Sequence, residues 1–194
     1  MKRPPLNAPW TISIKRADAA CLARLAHCDF SFEVTAEATG PFDGDSIGPI
    51  VPVVPCYIKS YGFDPDELAD YLGRTDRTLF VAEAEGCPIG YAAVSQGWNH
   101  YAIIDDIAVD AAHRRFGAAR LLMDAAVEWA AHAGARGVRL ETQSNNIAAC
   151  RFYKRYGFVL GGYDRYLYQA LHPGTREIAL FWYLLLPMKG AAEL

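Results

Sequence analysis

The chain has 194 residues, 52% of them hydrophobic and 21% charged, a balance that fits one globular domain of ordinary size and excludes collagen-like, mucin-like and disordered chains. Nineteen Lys and Arg against 22 Asp and Glu leave a formal charge of −3, so no global basic field draws nucleic acid or an anionic membrane, and an anionic ligand must be held by a local cluster. The five cysteines are odd in number and far apart with no CxxC pair, which points to reduced thiols in a cytoplasmic protein and to no metal site.

The opening MKRPPLNAPW has three prolines and no apolar run long enough for a signal-peptide core. A short strand is expected over Thr11 to Lys15, then a helix opening near Asp18. From about Phe30 to Tyr61 the chain carries Gly40, Pro41, Gly44, Gly48, Pro49, Pro52 and Pro55, so no regular helix can form and an irregular arm is expected. Asp64-Pro65-Asp66-Glu67 offers an N-cap, a proline at the first helical position and a third-position Glu, starting a helix that should run to about Leu72.

A meander follows: Arg77 to Glu85, Ile89 to Gln96 and Tyr101 to Val109, with turns at Gly86-Cys87-Pro88 and Gly97 to His100. Leu121, Leu122, Ala125 and Trp129 share one face of a helix over Gly117 to Ala133, which should pack on that sheet. A strand (Val138 to Thr142), a helix (Asn146 to Tyr156) and two strands (Phe158 to Tyr168, Glu177 to Leu185) complete the chain. The apolar run Ile178 to Met188 has eleven residues, where a membrane span needs about 20. Hairpins mixed with βαβ crossovers predict an α/β fold: a single domain with a mixed sheet and helices on its faces.

Between the strand ending at Val109 and the helix near Gly117 lies His113-Arg114-Arg115-Phe116-Gly117-Ala118-Ala119. Small residues at a helix N-terminus let backbone N–H groups approach an anion, and the helix dipole adds about half a positive charge there. Arg114, Arg115 and Arg120 supply countercharge. The loop is neither a Walker loop nor a GxGxxG fingerprint, and taken alone it reads equally well as a solvated basic turn.

The wider pattern is more specific. Arg114-x-x-Gly117-x-Ala119, then Asn146-x-x-Ala149-x-x-x-Tyr153 and Gly157-Phe158, resembles the acetyl-CoA binding core of the GNAT N-acetyltransferases from about Leu79 to Leu185. Gly97-Trp98-Asn99-His100-Tyr101, Ile104-Asp105-Asp106-Ile107, Leu140 to Asn146, Cys150-Arg151-Phe152-Tyr153 and Glu177 to Tyr183 look closer still to the streptothricin acetyltransferases of that superfamily. Ala119 stands where the family often has Gly, and Arg115-Phe116 where many relatives carry Gly-Lys.

The resemblance implies a largely antiparallel, twisted GNAT sheet with helices on both faces. It also implies acetyl-CoA as co-substrate, bound by Ile107, Val109, Arg114, Arg115, Phe116, Gly117, Ala118, Ala119, Asn146 and Tyr153, with Tyr153 protonating the CoA thiolate. Asp105 and Asp106 interrupt an otherwise apolar strand, a costly placement without a cationic partner. Period-2 geometry sends the two to opposite faces unless the strand bulges or splays. The resemblance gives Asp105 the amine proton and Asp106 the substrate charge.

If the acceptor is an amine-rich cation, Trp98, Tyr101, Glu141, Tyr163 and Asp164 are further candidates, each with an ordinary alternative in sheet packing or a solvated turn. Cys150, one turn before Tyr153 and with no His near it in sequence, reads as a packing thiol rather than a nucleophile. The expected activity is acetyl transfer to a primary amine on the β-lysine arm of streptothricin, with antibiotic resistance as the consequence and the arm at 30–61 near the acceptor. Another polyamine or an aminoglycoside is the alternative acceptor, and an acyl-CoA binding module without turnover is the alternative role. The partners are CoA and a small cationic amine, with no nucleic acid and no membrane; a homodimer is compatible with the sequence.

Overall fold

In chain order the elements are β1 (Ile12–Arg16), α1 (Ala19–Leu25), β2 (Phe32–Ala38), β3 (Ile50–Lys59), α2 (Pro65–Ala69), β4 (Arg77–Ala84), β5 (Cys87–Gln96), β6 (Tyr101–Val109), a 3-10 turn (Ala111–His113), α3 (Ala118–His132), β7 (Gly137–Gln143), α4 (Ile147–Tyr156), β8 (Val159–Asp164) and β9 (Ala179–Leu185). The computed structural model describes residues 10–42 and 47–187. Local chemistry sets several boundaries. Asp18 accepts from Cys21 N at 2.7 Å and caps α1, and Asp64 caps α2 by accepting from Asp66 N and Glu67 N. α2 ends at Ala69 instead of reaching Leu72, because its tail tightens into i→i+3 bonds (Tyr71 N to Leu68 O, Leu72 N to Ala69 O) before Gly73 turns with φ 67°. β8 stops at Asp164 instead of reaching Tyr168, since the Asp164 carboxylate accepts from Tyr166 N at 2.7 Å and Leu167 N at 3.2 Å and bends the chain away.

Seven strands form one sheet in the order β1-β4-β5-β6-β7-β9-β8, and β6–β7 is its one parallel pair. This is the mixed sheet that the order of elements predicts, and the largely antiparallel one that the resemblance implies. Side-chain alternation divides the core between its faces. Leu79, Val81, Tyr91 and Ala93 meet Cys21, Leu22 and Leu25 of α1 and Leu68 of α2, while Ala82, Ala92 and Val109 meet Ala118 and Leu122 of α3. Trp182, fully buried, centres a third cluster with Met123 and Ala126 of α3 and Cys150 and Tyr153 of α4. Among the described residues no helix is long and apolar enough to cross a membrane.

The arm departs from expectation. Instead of an irregular loop, β2 and β3 form a separate two-stranded antiparallel sheet, with a register shift between Val34 and Ala36. Proline forbids helix but is tolerated on a strand with an unpaired edge, and both strands of a two-stranded ribbon have one. Pro52 and Pro55 therefore sit within β3, where Val51, Val53, Val54 and Ile58 supply β preference. The ribbon is tied to the body: Ala38 N donates to Ser144 O at 2.9 Å, Asn145 Nδ2 donates to Tyr57 Oη at 3.0 Å, and Lys59 Nζ lies 2.5 Å from Glu177 Oε1.

The feature that positions the site is a gap in the main sheet. Parallel pairing of β6 with β7 runs from Tyr101↔Gly137 to Ile104↔Leu140 and stops there. On its other side β6 pairs Ile104 with Val94 and Asp106 with Ala93, so Asp105 is the extra residue of a bulge. At the closed end of the gap the packing is tight: a Cβ on Gly137 would lie 2.5 Å from Leu184 O and 2.7 Å from the Tyr101 ring. Gly137→Ala should therefore destabilise the fold by about 1 to 3 kcal/mol, as overpacked sites do, measured as a lowered urea midpoint.

Candidate active site

Two cavities open into this gap. The first, about 490 Å³, runs between the end of β6, the loop before α3 and the inner side of α4, with Phe30, Phe32 and Tyr61 of the arm on its wall. The second, about 380 Å³, lies between the bulged part of β6 and Arg139 to Gln143 of β7. Tyr61, Asp106, Ile107, Asn146, Ala149 and Tyr153 line both, so the cavities meet at these residues.

The loop that precedes α3 is built for an anion. Arg115 (φ 69°) and Gly117 (φ 97°) both take left-handed backbone, and α3 starts with no side-chain cap on its first-turn N–H groups. Gly117, Ala118 and Ala119 line the first cavity with Arg114, Arg115, Arg120 and Arg155. Arg114 Nε donates to Val109 O at 2.9 Å, which pins the loop to the end of β6. His113 Nδ1 lies 2.6 Å from Asp110 Oδ2, and Trp10 packs on the His113 ring. A bare basic cavity with open N–H groups and small side chains fits the diphosphate end of CoA.

Of the expected cofactor residues, Ile107, Val109, Arg114, Arg115, Gly117, Ala118, Ala119, Asn146 and Tyr153 all line the first cavity. Phe116 does not; its ring packs edge-on against Trp10 at 5.3 Å, the outlet an aromatic side chain takes beside a polar loop. Asn146 is the N-cap of α4, accepting from Ala149 N at 3.1 Å while its Nδ2 donates to Tyr61 Oη at 3.5 Å. Tyr153 follows on the same helix, buried against Phe158 and Trp182, and burial raises its hydroxyl pKa well above the ordinary value.

Asp105 and Asp106 share the second cavity, because the bulge brings adjacent residues together. Tyr91 donates its hydroxyl hydrogen to Asp106 Oδ2, and the Tyr91 ring is held by Phe30 and Phe63 at 5.2 and 5.6 Å. Burial raises the pKa of both carboxyls; Tyr91 opposes the shift at Asp106, and Ser95, Tyr71 and Arg77 oppose it at Asp105. Glu141 also lines this cavity; burial raises its pKa too, and it accepts from the Tyr168 hydroxyl.

The remaining acceptor candidates lie outside both cavities. Trp98, 90% exposed, lies in the β5–β6 turn, and Tyr101, the first residue of β6, packs on Tyr183. Tyr163 packs on Phe42, and Asp164 closes its turn. Cys150 is buried, and burial pushes its thiol up to about 12, so it packs rather than reacts.

Several site residues had no sequence motif to mark them: Tyr61 and Phe32 of the arm, Tyr91 behind Asp106, and Arg139 on β7; Gln143 lies in the Leu140 to Asn146 run that carries the resemblance but is assigned no role of its own by it. The signal available for β7 was alternation, since Arg139, Glu141 and Gln143 alternate with Val138, Leu140 and Thr142, which are buried.

Comparison with known proteins agrees with this geometry. The profile of the acetyltransferase (GNAT) family matches residues 53–158. Streptothricin acetyltransferase A of Bacillus subtilis (strain 168) is 39% identical over 127 residues, 66% of this chain and 72% of that protein. A streptothricin acetyltransferase of Escherichia coli is 32% identical over 155 residues, 80% of this chain and 77% of that one. A Bacillus anthracis protein assigned as a streptothricin acetyltransferase, crystallised with acetyl coenzyme A, superposes with a TM-score of 0.77 at 32% identity over 91% of this chain and 100% of its own. With the family profile spanning the opened strand pair, the basic loop and the tyrosine helix, the chain belongs to the acetyltransferase (GNAT) family.

Proposed function

We propose that this acetyl-CoA-dependent N-acetyltransferase moves the acetyl group onto a primary amine of streptothricin, in its β-lysine moiety, by direct attack within a ternary complex, and so confers resistance. The observation that carries this reading is the junction of a basic cavity with an acidic one at Tyr153 and Asp106. Two substrates entering from opposite sides would meet there without a covalent enzyme intermediate. The relatives named for streptothricin support the choice of acceptor.

Acetyl-CoA supplies an acyl thioester already activated toward an amine. In this reading Arg114, Arg115 and the α3 N-terminus hold the phosphates, and Asn146 fixes the start of α4 so that Tyr153 is presented to the junction. An amine with a pKa of about 10.4 is almost wholly protonated at neutral pH and cannot attack until it loses a proton. The resemblance assigns that proton to Asp105; the junction favours Asp106, which lines both cavities where Asp105 lines one. Asp105 and Glu141 then attract the cation, and Tyr153 Oη gives its proton to the departing sulfur. An ammonium sheds two protons in all: the first leaves through Asp106 to solvent, and the second, lost once the amine has attacked, balances the one that Tyr153 gives to the thiol. The arm, whose Tyr61 reaches the junction, forms part of the acceptor entrance within the same single domain.

CoA release, followed with acetyl-CoA and a panel of streptothricin, an aminoglycoside and spermidine, tests the acceptor. Streptothricin should be used with the highest kcat/KM; preference for another member would replace it, and no release with any would favour a binding module. The cofactor loop is tested by calorimetry. Arg114→Ala should weaken acetyl-CoA binding by about 1 to 3 kcal/mol, roughly 5- to 150-fold in Kd. Gly117→Asp should weaken it as well, since it sets a carboxylate beside phosphate at a left-handed φ of 97°. Wild-type affinity in both variants would remove the loop from the site.

A further inference from the structure

Tyr91 reaches Asp106 diagonally across the β5–β6 pair. On the regular side of the bulge Tyr91 stands opposite Ala108 and Ala93 opposite Asp106, so Tyr91 and Asp106 share a face, as diagonal neighbours within reach of an aromatic side chain. The other two members of this group of four are alanines, whose methyl groups leave the ring room to lean toward the carboxylate. The Tyr91 hydroxyl donates to Asp106 Oδ2. A phenol has one hydrogen to give, and this one is committed to the carboxylate.

The ring is held from the arm. Phe30 precedes β2 and Phe63 follows β3, so the two phenylalanines stand at the two ends of the arm. They lie 5.6 Å from each other and pack edge-on to the Tyr91 ring at 5.2 and 5.6 Å. Tyr91 is 1% exposed, and a phenylalanine would fill the same space. What the hydroxyl adds is a grip on Asp106, which fixes the carboxylate and favours its ionised form. The other groups around Asp106 do not supply this: Glu67 of α2 and Asp105 are acidic and oppose its ionisation, while Tyr153 of α4 and Tyr61 beyond β3 stand around the junction. The hydrogen bonds that work against burial come from Tyr91 and the Ile107 N–H.

We infer that Tyr91 is a positioning residue for acetyl transfer: gripped by Phe30 and Phe63 at the two ends of the arm, it holds the Asp106 carboxylate at the junction, so that the seating of the arm and the placing of the base are one arrangement. This rests on Asp106 being the base.

The test reads two curves in each variant of the full chain. One is the kcat–pH profile with streptothricin; the other is the titration of the Asp106 carboxyl, followed by NMR on protein carrying carboxyl-labelled aspartate, its signal assigned by its loss in Asp106→Asn. Tyr91→Phe keeps the ring and removes the hydroxyl. It should lower kcat at neutral pH by about tenfold or more, move the acid limb and the carboxyl titration up by about one to two pH units, and leave acceptor KM and CoA affinity within about twofold. Phe63→Leu keeps the hydroxyl and loosens the grip, so it should move both curves the same way but less. In the double variant the shift should equal that of Tyr91→Phe alone, because Phe63 acts only through that hydroxyl. A tyrosine that merely packs the core would lower the melting temperature and leave both curves in place. If Tyr91→Phe melts well below the wild type, Phe63→Leu carries the comparison. Unmoved curves in a folded variant would overturn the inference, and additive shifts in the double variant would remove the arm from it. Should streptothricin not be a substrate, or Asp106→Asn keep full turnover, the reading of the site falls by itself; a moved carboxyl titration then still upholds the hold of Tyr91 on Asp106, and an unmoved one ends it.

Discussion

Tyr153→Phe should cut turnover by about 10² to 10⁴, the span for loss of a general acid, with little change in the affinity for either substrate. The substitution removes one hydroxyl and keeps the ring. That ring packs on Phe152, Phe158 and Trp182, so the fold should hold. Burial raises the pKa of this hydroxyl, which keeps it protonated at neutral pH, the state an acid must start from. A merely structural tyrosine would behave differently, losing stability along with activity. Steady-state kinetics and a thermal melt on the same preparation separate the two. Unchanged turnover would mean that the thiolate departs without this proton or takes it from another group. A neighbouring thiol is a poor substitute, because Cys150 is buried and pushed up to about 12.

The residues that could be read in advance are those whose neighbours in sequence are also their neighbours in space. Asp18 and Asp64 cap helices that start at the next residue, accepting from N–H groups two or three residues on, and the Arg114 to Ala119 run joins one strand to the first turn of one helix. The tyrosine helix was legible for the same reason. What escaped depends on pairing across long separations. The prolines at 52 and 55 mark the absence of helix, but nothing local says that β3 will find β2 or that Lys59 will reach Glu177.

Alternation alone sends Asp105 and Asp106 to opposite faces, and only the register against Val94 and Ala93 shows the bulge that undoes this. Tyr91 precedes Asp106 by fifteen residues, yet its hydroxyl is the group that holds the carboxylate. Four expected acceptor residues (Trp98, Tyr101, Tyr163 and Asp164) were chosen for residue type, and the sheet places them outside the two cavities. Type without register is a weak guide to a site made from a gap between strands.

The two carboxylates should separate under substitution, since only Asp106 reaches the junction. Asp106→Asn should lower turnover at neutral pH by about 10² to 10⁴ and recover in part as pH rises, where more of the amine is already neutral. Asp105→Asn should mainly raise the acceptor KM, more strongly at low salt, where an attracting charge is least screened. In the wild type the base works only when ionised. Burial raises the Asp106 pKa, so activity should fall away, as pH drops, at a pH above the ordinary carboxylate value.

The stability effect has the opposite sign. A folded pKa above the unfolded one means that the native state holds the proton more tightly, so this contribution is complete below the unfolded pKa and lost as pH rises through the folded one. At neutral pH ionised Asp106 therefore weakens the fold, and Asp106→Asn should melt no lower than the wild type while Tyr91 keeps an oxygen to donate to. A dead, well-folded Asp106→Asn with partial alkaline recovery identifies the base. Should Asp105→Asn show that recovery instead, the proton goes to Asp105, as the resemblance implies, and Asp106 is the attracting charge. Should neither variant change turnover or acceptor KM, both carboxylates are structural, and the amine must lose its proton through Glu141 or a chain of waters in the same cavity.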